Sequence, residues 1–127
     1  AARMKYELSQ TFFFEAAHTL RRKLDDAEEV AGSRRIHGHT YKAEVCIGGA
    51  PAVESGMVMD LAILRARIAE LRTRLDHHFL DEVPELGQPT LENLCLYIAT
   101  QMQRDGIAPS KVRVWREASG DSCTLTL

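Results

Sequence analysis

The stretch RRIHGHTYKAEVCI, residues 34 to 47, decides the fold because it runs into a strict two-residue alternation. From its second histidine onward an apolar or aromatic side chain recurs at every other position, which is the period of a half-buried β-strand. The run stops at GGAP, residues 48–51, a composition typical of a strand end. One face of the predicted strand would carry His39, Tyr41, Ala43, Val45 and Ile47.

The segments on either side predict further elements of the same small domain. Residues 4–14 alternate in the same way and predict a first strand, which the motif FEAAH ends at His18. Two stretches with apolar residues at three- and four-residue spacing predict amphipathic helices, the first capped by Asp60 and the second by Thr90.

Two more strands are predicted near the end of the sequence, at residues 112–117 and 123–127. The order strand, strand, helix, helix, strand, strand predicts an α+β fold with both helices on one face of an antiparallel sheet. Tyr41, Trp115 and the final strand would leave apolar material on the other face. We therefore expect oligomerisation to cover that face.

The composition is that of an ordinary globular chain, and its 127 residues predict one domain spanning 1–127. A net charge of -2, with 27% charged residues, shows no global bias toward nucleic acid or an anionic membrane. No apolar run approaches the roughly 20 residues that span a bilayer, and no secretory signal is visible, so we expect a cytoplasmic protein. Three widely spaced cysteines argue against a disulfide framework and predict buried free thiols.

The histidines raise the question of a metal site. His37 and His39 lie two apart on a strand, so both project to one side and could present imidazole nitrogens to one ion. His18 could be a third ligand if the first two strands pair, and a catalytic zinc takes three protein ligands and keeps one position open. The alternative is a pair of polar residues that face water at a strand edge, and the residues alone leave both interpretations open.

A second polar group, LDHHFLDE at 75–82, follows the first helix. Adjacent side chains such as Asp76 and His77 are not expected to pair easily with each other. A turn could still direct both toward a shared site, with His77 as proton donor or acceptor. Taken alone, the segment favours a structural interpretation, in which the histidines interact with the negative end of the helix dipole.

Six motifs together resemble the 6-pyruvoyltetrahydropterin synthase and 6-carboxytetrahydropterin synthase family. In order they are FEAAH (14–18), HGHTY (37–41), GMVMDL (56–61), LDHHFLDE (75–82), PTLENL (89–94) and VWREA (114–118). The match is close to chain-wide, and the bacterial carboxy-type branch, which serves queuosine-type deazapurine synthesis, looks nearest. The resemblance implies a tunnelling (T-fold) subunit, ββααββ, that trimerises into a barrel and stacks as a homohexamer, a dimer of trimers.

The resemblance also implies a cofactor, a substrate and roles for particular residues. Zn²⁺ would be held by His18, His37 and His39. The substrate would be a pterin, 7,8-dihydroneopterin triphosphate, and zinc would act on it as a Lewis acid that eases loss of a proton. Glu117 would anchor the pterin ring by charge-assisted hydrogen bonds, and Asp76 and His77 would relay protons.

The sequence departs from this family at its catalytic cysteine. The carboxy-type branch has a cysteine four residues before the HGH pair, where this chain has Ser33, and the pyruvoyl-type branch has one six before, at Ala31. No cysteine occurs in residues 1–45. A thiolate is accessible near neutral pH, whereas the Ser33 hydroxyl would need activation, for example by His77 and Asp76.

Three explanations for Ser33 stay open. It could be an introduced, nearly isosteric substitution that traps substrate. The natural protein could instead catalyse a thiol-independent retro-aldol removal of the pterin side chain, with Glu28 or Glu29 as base, or it could bind a pterin without turning it over. We take a zinc-dependent lyase of the carboxytetrahydropterin type as the first hypothesis. The second is a dihydroneopterin aldolase-like enzyme and the third a catalytically silent pterin-binding protein.

Overall fold

The computed structural model describes residues 4–19 and 35–127. The elements are β1 (Tyr6–His18), β2 (His37–Gly49), α1 (Leu61–Thr73), α2 (Leu91–Arg104), β3 (Lys111–Arg116) and β4 (Asp121–Thr126). Their order confirms the predicted ββααββ pattern. A single-turn 3-10 helix, Leu80–Glu82, is an addition that the sequence pattern did not predict. Within the described ranges, no helix has the length and apolar character needed to cross a membrane.

The four strands form one antiparallel sheet in the order β1-β2-β3-β4. The β1–β2 pair keeps one register from Tyr6 opposite Gly49 to His18 opposite His37, without a bulge. Because side chains alternate along a strand, this register fixes which residues of both strands share a face. The helix-covered face carries Phe14, Tyr41 and the other predicted apolar positions of β2.

Both predicted helix caps are present. The Asp60 carboxylate accepts from the Ala62 amide at 2.9 Å, and the Thr90 hydroxyl accepts from the Asn93 amide at 3.1 Å. Each bond satisfies one of the amide groups that the first turn of a helix leaves without a partner. The apolar stripes then pack on the sheet, where the buried helix residues include Leu64, Ile68, Leu71, Leu94, Ile98 and Met102.

The uncovered face of the sheet differs from the prediction. Tyr41 is 1% exposed and lies in the core against Phe14, at a ring-centroid separation of 5.1 Å, so it supplies nothing to this face. Trp115 does lie there, beneath the guanidinium of Arg113. Several other positions are polar and pair across strands, as Ser9 does with Glu44, while Phe13 is an exposed apolar residue on this face. The expectation that Tyr41 contributes apolar surface to this face was therefore wrong.

All three cysteines are free, as predicted. Cys46 and Cys95 are buried, and burial raises the pKa of the Cys46 thiol to about 11. Cys123 is only partly buried, on the edge strand β4.

The segment after α1 crosses the outer edge of β1. The amide of His77 donates to the carbonyl of Glu15 at 2.6 Å, and the amide of Ala17 donates to the carbonyl of His78 at 3.1 Å. A parallel bridge joins Ala17 and Phe79. The site-bearing end of β1 is thereby held between β2 and this segment.

Candidate metal centre and active site

Three histidines converge at the open end of the β1–β2 pair. His18 and His37 are direct cross-strand partners, and His39 lies two residues further along the same face. The ring centroids are 4.4 Å apart for His18 and His37, 4.9 Å for His18 and His39, and 5.0 Å for His37 and His39. One nitrogen from each ring lies within 4.8 Å of the others, so the three predicted histidines could together hold a metal ion.

The state of His18 fits this use. His18 is only 3% exposed, and neither of its ring nitrogens has a hydrogen-bond partner in the described structure. A buried polar group without a partner costs free energy, and a bound cation would remove that cost. Burial, then the neighbouring His37 and His39, lowers the pKa of His18 to about 4. The ring is thus neutral near physiological pH and keeps a lone pair for a ligand.

A backbone contact orients the second histidine. His37 Nδ1 lies 2.8 Å from the carbonyl oxygen of Arg35, which can only accept, so Nδ1 carries the ring proton. This leaves Nε2 of His37 as the nitrogen available to a metal. Such outer contacts commonly fix the tautomer of a ligating histidine.

Asp76 and His77 form a hydrogen-bonded pair, contrary to the expectation for adjacent side chains. Asp76 Oδ2 lies 2.9 Å from His77 Nδ1, while Oδ1 accepts from the Glu15 amide at 2.9 Å. The pairing is possible because His77 has a φ of 58°, a left-handed conformation that turns its ring back toward Asp76. Asp76 can therefore orient the ring, and the imidazole of His77 is exposed to solvent or a ligand.

A shallow cleft lies beside His77 and borders one histidine of the cluster, His39. It has a volume of about 530 Å³ and is lined by residues that include Glu15, Gly38, His39, Thr40 and His77. Of the three clustered histidines, only His39 is among the lining residues, whereas Glu15, Gly38 and Thr40 belong to the opposite face of the sheet.

Two predicted site residues are not placed with the others. Glu117 begins the turn after β3, and its carboxylate pairs with Lys42 at 2.8 Å. Lys42 projects from the opposite face of β2 to His37 and His39, so one subunit does not bring Glu117 to the cluster. Ser33 lies outside the described residues, as do Glu28, Glu29 and Ala31.

Two residues near the cluster were missed. Nη1 of Arg116 lies 3.3 Å from Nε2 of His39, and the carboxylate of Asp81 accepts from both the amide, at 2.8 Å, and the hydroxyl of Thr19. The alternation of β3 could have indicated Arg116. Val112 and Val114 lie on the buried face, and Arg116, two residues further along the strand, lies on the same face. No spacing rule links Asp81 to Thr19, because they meet only through tertiary structure.

Comparisons with known proteins give a consistent result. The family model described as 6-pyruvoyl tetrahydropterin synthase matches residues 7–126. A 6-carboxy-5,6,7,8-tetrahydropterin synthase from Synechocystis sp. is 32% identical over 101 residues, which cover 76% of this chain and 74% of that protein. A dihydroneopterin monophosphate aldolase from Pyrococcus furiosus is 31% identical over 113 residues, or 89% of this chain and 87% of that protein.

A solved structure is also similar over nearly its whole length. The 6-pyruvoyl tetrahydropterin synthase of Caenorhabditis elegans superposes with a TM-score of 0.79 at 26% identity. The superposition covers 98% of this chain and 96% of that one.

Proposed function

The chain belongs to the 6-pyruvoyl tetrahydropterin synthase family, and from that membership we propose that it is a zinc-dependent lyase acting on 7,8-dihydroneopterin triphosphate, of the 6-carboxytetrahydropterin synthase type. The observation that carries the proposal is the convergence of three imidazoles around the buried, unpartnered ring of His18. A set of three imidazoles with room for a further ligand suits a catalytic zinc ion.

The proposed roles divide between the cluster and the cleft. His18, His37 and His39 hold Zn²⁺, which when bound supplies Lewis acidity to the pterin side chain. Asp76 holds His77 through Nδ1, so Nε2 is the nitrogen that takes up and returns a proton. The cleft beside His77 would receive part of the pterin.

Ser33 takes the place of the family's thiol in this proposal. A hydroxyl is a much weaker base than a thiolate unless a neighbour removes its proton. We therefore expect slow removal of the carbon-bound proton, with the Asp76–His77 pair as the activating group.

Glu117 anchors the pterin ring in an assembled homohexamer. Because Glu117 and the histidines lie on opposite faces of one subunit's sheet, a complete site needs Glu117 from a neighbouring copy. The edge strands of the sheet, β4 and the part of β1 before Glu15, support assembly by strand pairing.

A retro-aldol activity is the second candidate. The similarity to the Pyrococcus furiosus aldolase extends over 89% of this chain. The absence of cysteine from residues 1–45 also favours a reaction that needs no thiol. In that reaction a zinc ion at the same site would lower the pKa of a substrate hydroxyl, and His77 would accept or donate the proton.

Product analysis distinguishes these candidates. The zinc-loaded protein is incubated with dihydroneopterin triphosphate, and the products are identified by mass. A carboxylated tetrahydropterin supports the synthase, and a hydroxymethyl pterin supports the aldolase. No product from the chain, with turnover gained by Ser33→Cys, indicates a disabled synthase. No product from either protein, with measurable binding of the pterin to the unmodified chain, indicates a pterin-binding protein.

The metal site is tested separately by zinc content. We expect His37→Ala to lose most of its zinc after dialysis, because one of three ligands is gone. His78→Ala is the matched control, since His78 is exposed and lies outside the cluster. Full zinc content in the His37 variant would show that the site is wrongly assigned.

A further inference from the structure

Arg116 places a positive charge against the histidine cluster. Its guanidinium can only donate, so the 3.3 Å contact from Nη1 uses the lone pair of His39 Nε2. On its other side, Nη2 pairs with Asp121 Oδ2 at 2.5 Å. The guanidinium is thus fixed by a carboxylate at one edge and presents its other edge to a candidate metal ligand.

The contact between Arg116 and His39 is incompatible with a metal ion on His39. A neutral imidazole has one ring nitrogen with a free lone pair. Ligation through Nε2 takes that lone pair from Arg116, and ligation through Nδ1 moves the ring proton to Nε2, which then cannot accept. In both cases, metal binding leaves Nη1 of Arg116 without its acceptor.

The released donor lies among other polar groups that lack partners. The Arg116 side chain is 20% exposed, and its Nε has no hydrogen-bond partner in the described structure. The same holds for the hydroxyl of Tyr41, whose ring centroid is 5.6 Å from that of His39. Buried donors without acceptors are costly, and like charges repel unless an anion lies between them. Asp121 offsets part of the charge, but it is held at Nη2.

We propose that Arg116 is an oxyanion-binding residue, which pairs a carboxylate or phosphate oxygen of the ligand with the metal held by the three histidines. This inference rests on the zinc site of the proposed function. It limits the molecules expected to bind at that site to those that bring an anionic oxygen to the three histidines. Charge-assisted hydrogen bonds from a guanidinium suit both kinds of oxyanion.

The test measures zinc affinity by competition with a chromophoric chelator, first with zinc alone and then with acetate or inorganic phosphate. In the unmodified chain, at least one anion should tighten zinc binding. In Arg116→Met, zinc alone should bind about three- to tenfold more tightly, because no hydrogen bond competes for His39, and the effect of the anion should be lost. If this variant unfolds, Arg116→Gln is used with the same expectations.

Arg113→Met is the matched control. Arg113 lies on the same strand, stacked on Trp115 on the opposite face, and its loss should change neither quantity. A response to acetate alone identifies a carboxylate ligand, and a response to phosphate alone identifies a phosphoryl group.

Three results would overturn the inference. An Arg116→Met variant with unchanged zinc affinity and an intact anion effect excludes the role. If Arg116→Met/Asp121→Asn returns to the unmodified affinity, the gain came from the unpaired Asp121 carboxylate. If the unmodified chain binds no zinc, the proposed metal site fails as well, whereas normal zinc binding without an Arg116 effect refutes this inference alone.

Discussion

At the scale of single residues, the backbone conformation of His77 decides what the proposed proton relay can do. Neighbouring side chains in a helix or strand diverge, which is why the sequence did not predict a pair between Asp76 and His77. The left-handed φ of His77 removes this restriction. The hydrogen bond from the His77 amide to the Glu15 carbonyl helps to fix that conformation. Residue type and spacing predicted the position of the pair, but its geometry depends on a contact with a distant strand.

The same environment predicts how Asp76 contributes to stability in acid. The Glu15 amide, then His77 and Arg72, hold the pKa of Asp76 below its ordinary value. A carboxylate with a lowered folded pKa stabilises the protein fully above its unfolded pKa, and this contribution disappears as the pH falls through the folded pKa. We therefore expect Asp76→Asn to be less stable than the unmodified chain at about pH 5, with the difference shrinking as the pH falls below about 4, the ordinary pKa of an aspartate carboxyl.

Urea unfolding across that range measures the difference. Glu54→Gln, an exposed position in the segment after β2, serves as the control and should show little change. A constant difference between the Asp76 variant and the unmodified chain at every pH would show that its carboxylate charge is not responsible.

At the scale of elements, the features set by local chemistry could be predicted, and those set by tertiary contacts could not. The caps at Asp60 and Thr90 follow from side-chain oxygens beside helix starts, and the structure has both. β4 begins at Asp121, two residues before the predicted start, because Asp121 and Ser122 pair with β3 although they are polar. The 3-10 helix has no apolar period of its own, so the sequence pattern did not predict it.

The contacts of the 3-10 helix also lead to a prediction about the proposed metal site. Asp81 binds the amide and hydroxyl of Thr19, the residue after His18. Without the Asp81 carboxylate, the end of β1 should become less ordered and His18 should be held less firmly. We therefore expect Asp81→Ala to weaken zinc binding about tenfold. Chelator competition measures the affinity, and thermal unfolding reports the stability of the same variant.

Asp105→Ala, at the C-terminal end of α2, is the control for loss of an exposed carboxylate. A lower unfolding temperature with unchanged zinc affinity in Asp81→Ala would assign Asp81 to stability alone.

At the scale of the whole molecule, the sheet edge, more than an apolar face, offers a surface for assembly. The prediction of helices on one face is confirmed, but the side on which Tyr41 lies depends on the register with β1, which periodicity alone did not reveal. At the end of β1, the odd-numbered residues direct their amide and carbonyl groups away from β2, toward the outer edge of the sheet. The hydrogen bonds of Glu15 and Ala17 to the segment after α1 show this. In the described ranges, the outward amides of Glu7, Ser9 and Thr11 have no hydrogen-bond partner.

This edge predicts how the proposed homohexamer should respond to proline. Thr11→Pro removes an outward amide without removing a bond to β2, so the subunit should still fold while strand pairing between copies fails. We expect native mass spectrometry to show hexamers for the unmodified chain and monomers for this variant. Thr11→Val keeps the amide and should remain assembled. A monomeric unmodified chain, or a hexameric proline variant, would contradict pairing through this edge.

The direct pairing of His18 with His37 has a consequence for how such a protein can diversify. The segment that joins His18 to His37 begins and ends at directly paired residues of neighbouring strands. The free-energy cost of closing such a segment grows only slowly with its length. Insertions and deletions there need not shift the register that aligns the three imidazoles. A lineage can therefore exchange the residue at position 33, or change the length of the segment that carries it, and still inherit the same arrangement of three histidines.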